Sequence, residues 1–114
     1  MRILRLNNDL CELAEIDGSL ESMQYEVNGW IEVVPLTSSL RLVIDEEGKL
    51  YELNENPVAT VLLRHFIKRL ADDHVVGPAF LCSFDGKENL VSLTDEDYEI
   101  AAKVLRSYGF VKGD

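Results

Sequence analysis

The 114-residue sequence predicts one α+β domain, a mixed and mostly antiparallel sheet of hairpins packed with about three helices. Short β-branched and aromatic runs are interspersed with amphipathic stretches, and Asp85-Gly86, a strong hairpin dipeptide, joins two of the runs. Apolar residues make up 46% of the chain, enough to close one core. Tight hairpins keep neighbouring strands antiparallel, which argues against a doubly wound parallel sheet.

The elements follow in order. Ile3 to Leu6 and Cys11 to Ile16 flank the polar cluster Asn7-Asn8-Asp9 and predict a first hairpin. Leu20, Met23 and Val27 fall at helical spacing, with Ser19 placed to cap and Asn28-Gly29 to stop, so a short helix is expected over Leu20 to Val27. Trp30 to Val34 and Leu40 to Ile44 are rich in strand formers and are separated by Pro35 and the polar Thr37-Ser38-Ser39. After the Asp45-Glu46-Glu47-Gly48 turn, Lys49 to Leu53 returns as an expected third strand of the same meander.

The strongest helical signal starts at Asn56, a capping residue, and Pro57, which suits the first helical position. Ala59, Leu62, Leu63, Phe66, Ile67 and Leu70 then form one apolar stripe, and Arg64, Lys68 and Arg69 fall in the later turns, where cations suit the negative end of a helix. Ala79 to Phe84 and Asn89 to Leu93 bracket Asp85-Gly86 as a final hairpin. Thr94, with Asp95, Glu96 and Asp97 in the first turn, opens a last helix that Gly109 closes, its hydrophobic contact supplied by Phe110.

Composition bounds the function. The formal net charge is −10, and residues 1 to 56 carry −8 of it. Such a surface repels phosphate backbones, which disfavours direct general nucleic-acid binding. No apolar run reaches membrane-span length, and the opening residues turn polar too early for a signal peptide, so no membrane contact and no export are expected. Cys11 and Cys82 are too few for a disulfide framework, and a reducing cytoplasm is the expected compartment.

Catalytic and metal chemistry find little support. Cys11, Cys82, His65 and His74 are scattered without ligand spacing, so neither a metal nor a cofactor is expected. Cys82 lies in an apolar strand and reads as a small core residue. Asp95, Glu96 and Asp97 are consecutive on a helix and point apart, so first-turn capping explains them better than a cation site. Asp45, Glu46 and Glu47 lack calcium-loop spacing and read as a solvated turn. Neither a G-x-x-x-x-G-K-[ST] phosphate loop nor a G-x-S-x-G elbow occurs. Tyr25 and Trp30 flank the first helix-to-strand turn; packing in or beside the core is the expected reading and a binding edge the alternative.

Several segments, taken in order, resemble a known family: Ile16-Asp17-Gly18-Ser19-Leu20-Glu21-Ser22-Met23-Gln24, Gly29-Trp30-Ile31-Glu32-Val33-Val34, Glu47-Gly48-Lys49-Leu50, Leu53-Asn54-Glu55-Asn56-Pro57-Val58-Ala59-Thr60 and Val76-Gly77-Pro78-Ala79-Phe80. Together they are similar to the small proteins grouped as domain of unknown function 3846, over roughly residues 1 to 100. The resemblance implies a phage or mobile-element origin and a bacterial cytoplasm. It carries over no catalytic residues, because the shared motifs coincide with caps, turns and strand starts.

The expected function is therefore a non-enzymatic accessory protein that binds a host, phage or defence macromolecule with a basic surface, using Asp45, Glu46 and Glu47. The alternative is a binder of a nucleotide-like small molecule, with Arg64, Lys68 and Arg69 meeting phosphate. An unrecognised enzyme is the third reading.

Overall fold

A computed structural model describes residues 1–7, 10–48 and 54–110. The strands are β1 (Arg2–Asn7), β2 (Leu10–Glu15), β3 (Ile31–Pro35), β4 (Leu40–Asp45), β5 (Ala79–Phe84) and β6 (Leu90–Val91). The helices are α1 (Leu20–Val27), α2 (Pro57–Phe66) and α3 (Asp95–Ser107). The strand expected over Lys49 to Leu53, and Asn8 and Asp9 of the first turn, lie outside the described residues.

Among the described residues all the strand pairs are antiparallel, in the order β2-β1-β5-β4-β3, and β6 adds to the far end of β5. Leu81 sits at the centre, opposite Leu4 on one edge and Leu42 on the other. Period-2 alternation then divides the side chains between two faces. Leu4, Leu6, Leu40, Leu42, Ala79 and Leu81 pack with α2 and α3 in the larger cluster. Ile3, Val43, Phe80 and Cys82 pack with Met23 and Val27 of α1 in the smaller one. The sheet thus has helices on both faces, but only eight helical residues on the second.

Local caps fix where each helix begins. Ser19 Oγ accepts from the Ser22 N–H, Asn56 Oδ1 from Ala59 and Thr94 Oγ1 from Asp97. Asn56 also reaches beyond its helix. Its buried amide donates to the carbonyls of Leu6 and Gly77, which ties the start of α2 to β1 and to the approach to β5. Asn28, at φ 60°, ends α1. Gly109, at φ 83°, ends α3, where Phe110 N–H donates to Leu105 O and Gly109 N–H to Arg106 O.

Three expectations need correction. Helix α2 stops at Phe66, because Ile67 leaves helical geometry at φ −121° and ψ 87°, and Lys68–Leu70 form a separate 3-10 turn. That turn keeps Ile67 and Leu70 against the core, so the apolar spacing persists after the helix has ended. Only Arg64 of the three cations lies in the last helical turn. Strand β6 covers Leu90–Val91 alone, since Ser92 Oγ accepts from the Arg2 N–H, Leu93 enters the core and Thr94 begins the next cap. Tyr25 and Trp30 are not core residues. They are 85% and 65% exposed, because the short α1 buries only Met23 and Val27.

Candidate functional site

Edge strand β3, the C-terminal end of β4, the end of α2 and residues 73–76 surround a cleft of about 980 Å³. It opens beside the end of α2, where Leu63 and Phe66 line it. Val34, Ile44, Leu63 and Phe66 give it an apolar floor. Glu32, Asp45, Glu46, Glu47 and Asp73 line it, together with Arg69 and His74. Alternation places Glu32 beside Val34 on the same side of β3, whereas Glu46 and Glu47 arrive through the turn after β4.

The acidic turn is divided in its exposure. Glu46 is exposed and Glu47 half-buried, but Asp45 is only 5% exposed, which corrects its reading as a solvated turn residue. As the last residue of β4 it pairs with Ile31, and its carboxylate turns towards the end of α1. Oδ1 accepts from the Glu47 N–H at 3.0 Å, while Oδ2 is buried and accepts no hydrogen bond among the described residues. A Cβ on Gly29 would lie 2.6 Å from Asp45 Oδ1, so glycine is what lets the carboxylate approach.

The basic set does not converge. Arg64, Lys68 and Arg69 are exposed, Arg64 Nε donates to the carbonyl of Asp73 at 2.7 Å, and only Arg69 lines the cleft. Glu32, Asp73 and His74 join the cleft from separate parts of the chain, and no local motif announces them. A second concavity of about 340 Å³ lies at the end of α1, lined by the exposed Tyr25 and Trp30 together with Glu21, Gln24, Asn28 and Gly29.

The remaining reactive groups are occupied or quiescent. Burial pushes the Cys82 thiol up to about 12 and the half-buried Cys11 thiol up to about 11, so neither is a thiolate at neutral pH. His65 is exposed, edge-on to Phe66 with ring centroids 4.8 Å apart. Arg5 forks onto Glu26 with bonds of 2.7 and 2.9 Å and reaches Glu12 at 2.8 Å. The Glu26 hydrogen bond is the chief reason its already high pKa rises further. Asp97, read from sequence as a first-turn cap, is instead buried and accepts from Ser39 Oγ and Ser83 Oγ. Among the described residues no three His, Cys, Asp or Glu side chains are grouped as metal ligands would be, and no helix is long and apolar enough to cross a membrane.

The fold and site define a small α+β domain with an acid-rimmed, apolar-floored cleft at one edge of an antiparallel sheet. The family model for the domain of unknown function DUF3846 matches residues 1–108, and the chain belongs to that family. No curated protein matches it, and no solved structure does.

Proposed function

We propose that this chain is a non-enzymatic accessory protein, of phage or mobile-element origin and at work in a bacterial cytoplasm, that binds a protein partner through that partner's basic surface. The observation that carries the reading is the lining of the cleft. Glu32, Asp45, Glu46, Glu47 and Asp73 line it over an apolar floor, against Arg69 as the cation among the described lining residues. Such a surface attracts cationic side chains and gives their aliphatic stems something to cover. The competing reading, an anionic small ligand, would draw on Arg64, Lys68 and Arg69 together, and the first two do not line the cleft.

The test is affinity capture from bacterial lysate with the immobilised chain at low and at high salt, alongside the double variant Glu32→Gln/Glu46→Gln and the single variant Arg69→Gln. Exposed charges are screened over about 8 Å at physiological ionic strength, so a contact built on them must weaken with salt. Bound proteins with basic surfaces should be released by salt and lost from the double variant, yet retained by Arg69→Gln. Capture that depends on Arg69 and is displaced by inorganic phosphate would overturn the proposal in favour of an anionic ligand.

A further inference from the structure

We infer that the notch between Tyr25 and Trp30 receives an arginine side chain of the partner, an inference that rests on the proposed binding of a basic protein surface. Two aromatic rings at 85% and 65% exposure flank one concavity. Exposed rings lining one concavity offer an incoming planar group a π surface to stack on.

The charges around the notch select a cation. Glu21 is on its wall, one helical turn before Tyr25. The Glu46 backbone N–H donates to the Trp30 carbonyl at 2.8 Å, which fixes the acidic turn next to Trp30, although Glu46 itself lines the larger cleft. Behind Gly29, which forms part of the wall, lies the buried Asp45 carboxylate, with Oδ2 unsatisfied among the described residues. The last turn of α1 ends here with no basic residue in it, so the negative end of the helix adds to the same field. None of the six described residues lining the notch is cationic.

Among cations, the geometry favours arginine over lysine. A guanidinium is flat, stacks on aromatic faces and keeps its N–H fork free for carboxylates, whereas an ammonium is a compact and strongly hydrated point charge. The domain itself shows the contact elsewhere: Arg41 lies over the ring of Phe84 at 4.5 Å. Among the described residues no such cation covers Tyr25 or Trp30.

Trp30 is the only tryptophan, so intrinsic fluorescence reports on the notch directly. The full chain would be titrated with three capped peptides that are identical except for a central arginine, lysine or citrulline, the last a neutral isostere of arginine. The arginine peptide should change the Trp30 emission saturably and bind about tenfold more tightly than the citrulline peptide, with lysine between them. Tyr25→Ala and Glu21→Gln should each weaken it several-fold. Both positions are at the surface, and unchanged circular dichroism would confirm that the variants fold. Equal binding of arginine and citrulline, indifference to Tyr25→Ala, or emission that changes with protein concentration alone would each overturn the inference, the last because a second copy would then fill the notch. Arginine-peptide binding that is silent at Trp30 but lost in Glu32→Gln/Glu46→Gln would sink the notch and leave the binding reading standing. If no basic peptide or protein responds to any acidic substitution, the binding reading falls first and the notch with it.

Discussion

The Ser83 hydroxyl donates a 2.6 Å hydrogen bond to Asp97 Oδ2 and accepts one from the Thr94 N–H at 3.1 Å, so the central strand β5 is bolted to the first turn of α3. Asp97 Oδ1 accepts from Ser39 Oγ at 2.8 Å and brings in the β3–β4 loop. Replacing Asp97 by Ala should leave buried hydroxyls without an acceptor and cost about 2–4 kcal/mol in urea melts. Asp95, two residues earlier, forms an exposed 2.9 Å pair with Arg2, and Asp95→Ala should leave the melt nearly unchanged. Equal losses for the two variants would show that Asp97 acts only through the helix end.

Gly29→Ala should be far more damaging than Gly86→Ala, for a reason unrelated to backbone angles. A Cβ at position 29 meets the Asp45 carboxylate at 2.6 Å, whereas at position 86 it meets nothing within 4 Å. Gly86 does sit at φ +83°, so its substitution should still cost about 1–2 kcal/mol. If the clash is the cause, Gly29→Ala combined with Asp45→Gly should recover part of the loss, and the melting temperature of the double variant checks this.

Leu62 is fully buried in α2, and Phe66 is half-buried at its end, where it lines the cleft. Leu62→Ala should therefore cost about 2–5 kcal/mol, and Phe66→Ala less. Denaturant titration with unchanged m-values would verify both, and a larger loss at Phe66 would reverse the assigned packing.

The Cys82 thiol should make stability pH-dependent on the alkaline side. Burial pushes its pKa up to about 12 in the folded chain, against about 8.5 for an unfolded thiol. Because the folded state holds the proton more tightly, this contribution is complete below the unfolded pKa and is lost as pH rises towards 12. The unfolding midpoint should fall more steeply above about pH 9 in the parent chain than in Cys82→Ala. Identical slopes would show that the thiol is not the titrating group. At neutral pH, a thiol reagent should modify Cys82 only on unfolding.

Local chemistry made most elements legible. Caps at Ser19, Asn56 and Thr94 and the left-handed stops at Asn28 and Gly109 are written in single residues, and the structure uses each of them. What depends on long-range packing was not readable. The spacing of Ile67 and Leu70 continues the stripe of α2 although the helix has ended, because a 3-10 turn also returns a side chain to the core after three residues. Asp45 stands in a run of acids, yet pairing with Ile31 places it beneath Gly29, and only the assembled sheet reveals that. Glu32 and Asp73 line one cleft from distant segments. Tyr25 and Trp30 look like core residues by type, and they became surface rings because α1 is too short to cover them.

The place of β5 between β1 and β4 also sets a timetable for folding. Once Asp45 has left the ribosome, two hairpins exist whose inner edges cannot join, because their shared neighbour, residues 79–84, has not yet been made. Leu4 must wait for Leu81, and the sheet closes only across that separation. Folding governed by such distant pairings is slow compared with that of a helical bundle. Until it happens the open edges of β1 and β4 can join strands of other chains. A chain cut before Ala79 lacks the strand that joins β1 to β4, and with it the centre of the sheet.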